Sequence, residues 1–229
     1  MILDLNATLN PPDYSPEEKY WAILRAEMVE RQIKPRGITC PRVLYAMGRV
    51  MRHRFVPEDC RHASYADHPL PIGHAQTISQ PYIVALMTDL LRVRSTDRIL
   101  EIGTGCGYQS AVLAELAHEV FTIEIQQAMA HEAMMRLRGL GYAHIHCRQG
   151  DGYGGWPEQA PFDGILVTAA APHIPAPLLA QLKPGGRLII PVGTGYQELC
   201  ELSQSTHGLS TRKILPVRFV PMTGKILGH

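Results

Sequence analysis

RILEIGTGCGYQSAVLAELAHEVFTIE, residues 98–124, is the stretch whose reading decides the fold. It opens on an apolar strand of Ile99, Leu100, Glu101 and Ile102. Gly103, Gly105 and Gly107 then fall at alternate positions. Ala111, Val112, Leu113, Ala114 and Leu116 make an apolar helical segment. A second strand, Val120 to Ile123, ends on the acid Glu124. Strand, glycine loop, helix, strand and acid, in that order, form the first half of a nucleotide-binding α/β unit.

Each part has a chemical reason. Glycine admits positive φ and lets a ligand approach the main chain closely. The helix start that follows offers unpaired N–H groups. A carboxylate at the end of the next strand accepts the hydrogen bonds of a ribose diol. A dinucleotide loop reads G-x-G-x-x-G, whereas this loop carries Glu101 two residues before its first glycine. That acid suits an ammonium or sulfonium group and repels a pyrophosphate. A ligand cationic at one end and bearing one ribose is expected, which points to S-adenosyl-L-methionine. A bare strand-to-helix turn and a nicotinamide or flavin site are the competing readings.

Working outward toward the N-terminus, Pro81 opens a helix with Ile83, Val84, Met87, Leu90 and Leu91 on its apolar side. Before it lies a stretch without clear period, residues 55–81, holding Pro57, Pro69, Pro71 and Gly73. Long irregular segments inside a domain usually carry function. Thr77 and Ser79 stand just ahead of the helix start, where hydroxyls either cap the helix or hold a substrate anion. Spacing alone leaves both roles open. Earlier still, Ser15, Pro16 and Glu18 form a helix-start signature, and Trp21, Leu24 and Met28 repeat at helical spacing as far as about Ile33. A second helix follows Pro41, with Val43, Leu44, Met47 and Val50 inward. Arg49, Arg52, His53 and Arg54 read as a solvated basic face, with a substrate-facing role as the lesser reading. Residues 1–14 read as a variable arm.

Toward the C-terminus, a helix over about 126–140 leads to a strand at His144 to Arg148. An acid between glycines follows, Gly150, Asp151 and Gly152. At the same sheet edge as Glu101 and Glu124, Asp151 suits the exocyclic amine of an adenine. Residues 162–168 are a nearly continuous apolar strand, as a buried parallel strand requires. Ala169 to Pro172 form a small-residue loop able to wall a pocket. A strand at 187–192 and a terminal hairpin, at about 198–203 and 210–219, close the chain.

This order predicts an α/β fold: a doubly wound, mostly parallel sheet with an antiparallel edge and N-terminal helices. Ligands in such sheets bind beyond the strands' carboxyl ends. The chain has 229 residues, a net charge of +1 and 45% hydrophobic residues. That suits one domain over 15–229, divided into a helical, substrate-side segment (15–96) and a cofactor-side core (97–229). The balanced charge gives no support to a nucleic-acid partner. Five scattered cysteines without a C-x-x-C pair read as free thiols in a reducing compartment, with no metal site. No apolar run suits a membrane span and no signal peptide is evident, so a cytoplasmic protein is expected. A monomer is the favoured state.

The residues resemble those of the protein-L-isoaspartate O-methyltransferases over about 28–223. The likeness rests on QTISQPY (76–82), on ILEIGTG with Gly107, Tyr108 and Gln109, on Gly150 to Gly152, and on 163–172 followed by LKPGG (182–186). The Thr-Ile-Ser-x-Pro segment is the most specific of these. The resemblance implies a Rossmann-like methyltransferase that uses S-adenosyl-L-methionine and no metal. The acceptor implied is the free α-carboxylate of L-isoaspartyl residues in damaged proteins and peptides. It further implies that Glu101, Gly103 and Gly105 serve the methionine side of the cofactor, Glu124 the ribose, and Asp151 and Gly152 the adenine. Ser79 would engage the acceptor carboxylate as the catalytic residue, with Thr77 and Ile78 shaping its pocket. Two departures stand out: Cys106 where Ser is usual, and His74–Ala75 where a pair such as Tyr-Gly is commoner. A methyltransferase with another acceptor, or a non-catalytic cofactor-binding relative, is the alternative.

Overall fold

The first described helix begins where Ser15 caps it. The computed structural model describes residues 15–205 and 208–227. The arm expected at 1–14 and part of the connection between the two strands of the terminal hairpin, residues 206–207, lie outside the described residues. The Ser15 hydroxyl accepts the N–H of Glu18 at 3.2 Å, and Pro16 takes the first position of α1 (Pro16–Glu27). A π-helical turn, Met28–Ile33, extends the element to the residue that the periodicity predicts. Trp21 and Met28 are buried, and α2 (Pro41–Arg49) buries Val43 and Met47.

The basic run after α2 is a correction to the sequence reading. Arg52 and His53 are buried, not solvated. The Arg52 guanidinium lies over the Tyr108 ring at 4.8 Å, and its Nε donates to the Ser64 carbonyl at 2.7 Å. His53 stacks on Trp21 at 4.8 Å. Burial, with Arg25 nearby, pushes its imidazole down to about 4. An alternation test fails on such a run because stacking and main-chain carbonyls, rather than water, receive the charge.

The stretch expected to be irregular also contains structure. After a 3₁₀ segment, Glu58–Ala63, it forms a hairpin of β1 (Leu70–Gly73) and β2 (Gln76–Ile78), antiparallel with Pro71 opposite Thr77. His74 and Ala75 turn the hairpin with φ of 52° and 56°. Positive φ at both turn residues matches the right-handed twist of paired strands. α3 (Pro81–Leu91) follows and buries Val84, Met87 and Leu91.

The main sheet comprises β3 (Arg98–Ile102), β4 (Glu119–Glu124), β5 (Ile145–Gln149), β6 (Phe162–Val167), β7 (Leu182–Val192), β8 (Gln197–Ser205) and β9 (Gly208–Val217). Their order is β5-β4-β3-β6-β7-β8-β9. The pairs from β5 through β7 are parallel, and β7–β8 and β8–β9 are antiparallel. This is the doubly wound sheet with an antiparallel edge that the sequence predicts. The strand expected at 187–192 begins earlier, at Leu182, so the LKPGG stretch sits inside β7 as an irregularity where pairing with β6 shifts register.

Successive strand residues feed opposite cores, as a two-residue period requires. Ile99, Leu166 and Ile189 face a core shared with α1 to α3 and with α4 (Tyr108–Ala114); α5 (Gln127–Gly139) adds Leu137. Leu100, Ile102, Ile165, Val167, Leu188 and Ile190 face the other. That second face is covered more thinly, by the short α6 (Ala176–Leu179), 3₁₀ turns around Tyr153 and Trp156, and the C-terminal residues Met222 and Ile226. Strand order reverses between β3 and β6, so their carboxyl ends open a crevice at the switch point.

Candidate active site

The glycine loop leaves β3 at that crevice. Gly103 has φ of 95°, and a Cβ there would stand 2.3 Å from Thr168 Oγ1. Only glycine satisfies both conditions. Thr168, at the end of β6, closes the junction: its hydroxyl donates to the carbonyls of Gly103 at 2.6 Å and Ile102 at 3.0 Å. Glu124, at the end of β4, holds the loop from the other side. Its Oε2 accepts the N–H of Gly105 at 2.9 Å and its Oε1 that of Gln126 at 3.1 Å. Each carboxylate oxygen retains acceptor capacity beyond these bonds.

A cleft lies over the loop. Gly103, Gly105, Glu124 and Gly152 are on its wall, with Thr77 and Ile78 of β2 and the following Ser79. These sequence-predicted residues are brought together. Glu101 and Asp151 are not on that wall. Glu101 is fully buried on the sheet side of the loop; the Ser110 hydroxyl donates to its Oε2, and its Oε1 has no partner among the described residues. Burial pushes its carboxyl up to about 8, and nearby Glu124 adds to the effect, against the hydrogen bonds of Ser110 and Thr122. Asp151 turns toward main chain: its Oδ1 accepts the N–H of Tyr153 at 2.9 Å and its Oδ2 that of Lys225 at 2.8 Å. Cys106 lines the cleft as a buried small side chain, with its thiol pushed up by burial.

Neither Thr77 nor Ser79 caps α3. Gln80 holds that position and supplies no side-chain cap. The half-buried Ser79 therefore keeps its hydroxyl for the cleft. A second cavity adjoins the first and shares Thr77, Ser79, Thr168 and Val220 with it. Its remaining wall includes Pro69, Ile83, Pro216, Arg218 and Phe219. Ser79 thus stands at the boundary of two compartments. One lies over the glycine loop and the other lies against the end of β9.

Sequence reasoning missed the C-terminal contribution. Val220 to Thr223 line the first cleft and residues 216–220 the second. A parallel bridge pins them: Ala170 N–H donates to Val220 O at 2.8 Å, and Met222 N–H to Ala170 O at 2.7 Å. Among the described residues no group of three or more His, Cys, Asp or Glu side chains could hold a metal ion.

The profile of the family described as protein-L-isoaspartate(D-aspartate) O-methyltransferase (PCMT) matches residues 24–227. A protein-L-isoaspartate O-methyltransferase of Picosynechococcus sp. is 54% identical over 205 residues, which is 90% of this chain and 92% of that one. Protein-L-isoaspartate O-methyltransferase 2 of Syntrophobacter fumaroxidans is 59% identical across 82% of this chain and 76% of its own. A solved protein-L-isoaspartate O-methyltransferase superposes with a TM-score of 0.79 at 27% identity, covering 91% of this chain and 66% of that one. A Plasmodium falciparum structure in complex with S-adenosyl-L-homocysteine gives 0.74 at 24% identity, covering 87% and 98%, and shares the fold. The chain therefore belongs to the protein-L-isoaspartate(D-aspartate) O-methyltransferase family.

Proposed function

We propose that this chain repairs isoaspartyl damage at the boundary marked by Ser79, with the glycine-loop cleft holding the methyl donor and the adjoining cavity holding the acceptor. The enzyme is a protein carboxyl O-methyltransferase, and its cofactor is S-adenosyl-L-methionine. When bound, that cofactor supplies an electrophilic methyl group. The residues of the cleft fit it: Gly103 leaves room that any side chain would fill, and Glu124 is the one charged side chain on the wall, of the sign a cationic donor needs. The unpartnered Oε1 of Glu101 is a further acceptor close to the loop.

The roles follow. Gly103 and Gly105 bring the main chain close to the cofactor, and Glu124 accepts the ribose hydroxyls. Asp151 and Gly152 flank the adenine end, and Glu101 sets the loop from beneath. Ser79 donates to the acceptor's α-carboxylate, while Thr77 and Ile78 shape the passage. An α-carboxylate is already ionised at neutral pH, so no general base is required. Orientation and exclusion of water then carry the rate, an effect worth roughly 7–11 kcal/mol in favourable cases. The acceptor oxygen takes the methyl group; the ester then loses methanol as the neighbouring amide nitrogen closes a succinimide, which reopens partly to aspartate.

The substrates are proteins and peptides carrying L-isoaspartate, and the site of action is cytoplasmic, in keeping with five free cysteines. Among the described residues no helix is long and apolar enough to cross a membrane. Residues 15–229 work as one domain, with 15–96 furnishing Thr77 to Ser79 and 97–229 the cofactor loop.

One observation carries this reading: Ser79, free of any capping duty, stands on the wall shared by both cavities. The test is methyl transfer from labelled S-adenosyl-L-methionine to two matched peptides, one with L-isoaspartate and one with aspartate, read as base-labile methanol. Label on the isoaspartyl peptide alone is expected. Equal label on both, or none with cofactor bound, would overturn the assignment.

A further inference from the structure

The two compartments differ in charge. Among the described residues, the cleft over the glycine loop has a single charged residue on its wall, the carboxylate Glu124. Among the same residues the adjoining cavity also has a single one, the guanidinium of Arg218. The neighbouring basic side chains of the antiparallel edge are all committed to acids. Arg187 and Arg212 share Glu201, at 3.3 Å for Arg187, and Lys213 pairs with Glu198. Arg218 has no hydrogen-bonded or ion-paired partner among the described residues, and it is exposed. Its main chain is nevertheless held. Gln197, itself 8% exposed, accepts the Phe219 N–H at 2.6 Å and donates to the Phe219 carbonyl at 3.1 Å. The adjacent Val220 carbonyl is bonded to Ala170. A pinned backbone thus presents an uncommitted cation at the acceptor side.

We propose that Arg218 is the residue by which the acceptor cavity selects an ionised carboxylate over its neutral ester or amide. The inference rests on the reaction assigned above and adds a specificity element to it. Ser79 is neutral; its hydroxyl donates more strongly to a carboxylate, but it also donates to an ester or an amide oxygen. The other wall residues are apolar or uncharged. Arg218 adds the full opposite charge that only an ionised acceptor answers. Methylation removes the acceptor's charge, so its attraction acts on the substrate and lapses in the product. Binding is then favoured before transfer and release after it, without a bond that would hold the attacking oxygen during transfer. An exposed guanidinium is screened by salt, so the effect is a few-fold one that fades as ionic strength rises.

The test uses an isoaspartyl peptide and the same peptide with its α-carboxylate replaced by a carboxamide. KM and kcat are measured for the first, and inhibition by the second, in the wild type, Arg218→Ala and Arg218→Lys. Calorimetry gives the affinity of both peptides and of the cofactor. Arg218→Ala should raise KM by about fivefold, with a smaller change in kcat. The carboxamide and cofactor affinities should hold, and Arg218→Lys should recover most of the loss. The difference between wild type and Arg218→Ala should shrink at high salt. Equal weakening of carboxylate and carboxamide would make Arg218 a structural residue, and no change in either would remove its role altogether. Should the wild type bind the carboxylate peptide selectively through Arg218 yet transfer no methyl, the reaction assignment fails while charge selection stands.

Discussion

Glu101 lies within the sheet with its carboxyl fully buried, and burial lifts that group from an ordinary 4.5 to about 8. Below about pH 4.5 the native and unfolded chains both carry this proton. Between there and about pH 8 the unfolded chain has released it and the native chain has not, so rising pH favours unfolding. Glu101→Gln keeps the shape and removes the titration. Denaturation midpoints followed from pH 4.5 to 8 should fall less steeply in the variant; parallel slopes would show that Glu101 is ionised in the native protein. Ser79 gives a different prediction, because it faces the cavities and caps nothing. A hydrogen bond to a charged group contributes about 1.5–3 kcal/mol, so Ser79→Ala should lose about 10- to 100-fold in kcat/KM. Cofactor affinity by calorimetry should stay within about twofold; collapse of both together would assign Ser79 to the cofactor cleft. Gly103, Gly105 and Glu124 meet on one cleft wall because strand, loop, helix and acid are contiguous in the chain, whereas the spacing of Ser79 left capping and anion holding open and only the family resemblance chose between them. The depth of Glu101 was not legible in the sequence: a sheet-edge acid and an acid under the loop have the same spacing. Arg218 was equally hidden, since only tertiary folding brings residue 218 beside residue 79.

At the scale of the element, the β1–β2 hairpin shows where turn chemistry misleads. Hairpins with positive φ at both turn residues ordinarily announce themselves with Asn-Gly or Gly-Gly. Here the pair is His74–Ala75, and the stretch around it reads as structureless. Something other than local preference holds the turn. Its strands line the cleft through Gln76 to Ser79, Ile72 packs 3.6 Å from where a Gly105 Cβ would stand, and His74 Nε2 lies 3.6 Å from Glu132 on α5. The hairpin thus lies over the glycine loop, and tertiary contact overrides turn propensity. Left-handed backbone costs a residue with a Cβ roughly 1–2 kcal/mol, while glycine carries a larger unfolded-state entropy. Ala75→Gly should therefore stabilise the protein by about 0.5–1 kcal/mol in denaturant titrations. A midpoint shifted downward would mean that Ala75 contributes packing that outweighs its strain.

Across the whole molecule, the cleft is closed by residues far apart in the chain: 76–79 on one side, 102–126 beneath, and 220–223 as a strap. The strap is fastened at Ala170 and again at Asp151, whose Oδ2 accepts the Lys225 N–H. Gly224 makes the second fastening possible, with φ of 92° and an added Cβ only 2.6 Å from Asp151 Oδ2. The sequence suggests Asp151 as an acid for the adenine, and its hold on a residue 74 positions later has no local signature. The two duties are separable. Asp151→Ala removes both the carboxylate and the fastening, whereas Gly224→Ala disturbs the fastening and leaves the carboxylate in place. Losing one such bond costs about 1 kcal/mol, or about fivefold in affinity where the strap and the cofactor are coupled. Both variants should then weaken cofactor binding, Asp151→Ala the more because it also loses the carboxylate, and amide hydrogen exchange at 222–225 should quicken in both. If exchange quickens in both but only Asp151→Ala loses affinity, the strap moves independently of the cofactor. Asp151 then acts on the adenine directly, and the C-terminal residues line the cleft without holding its occupant.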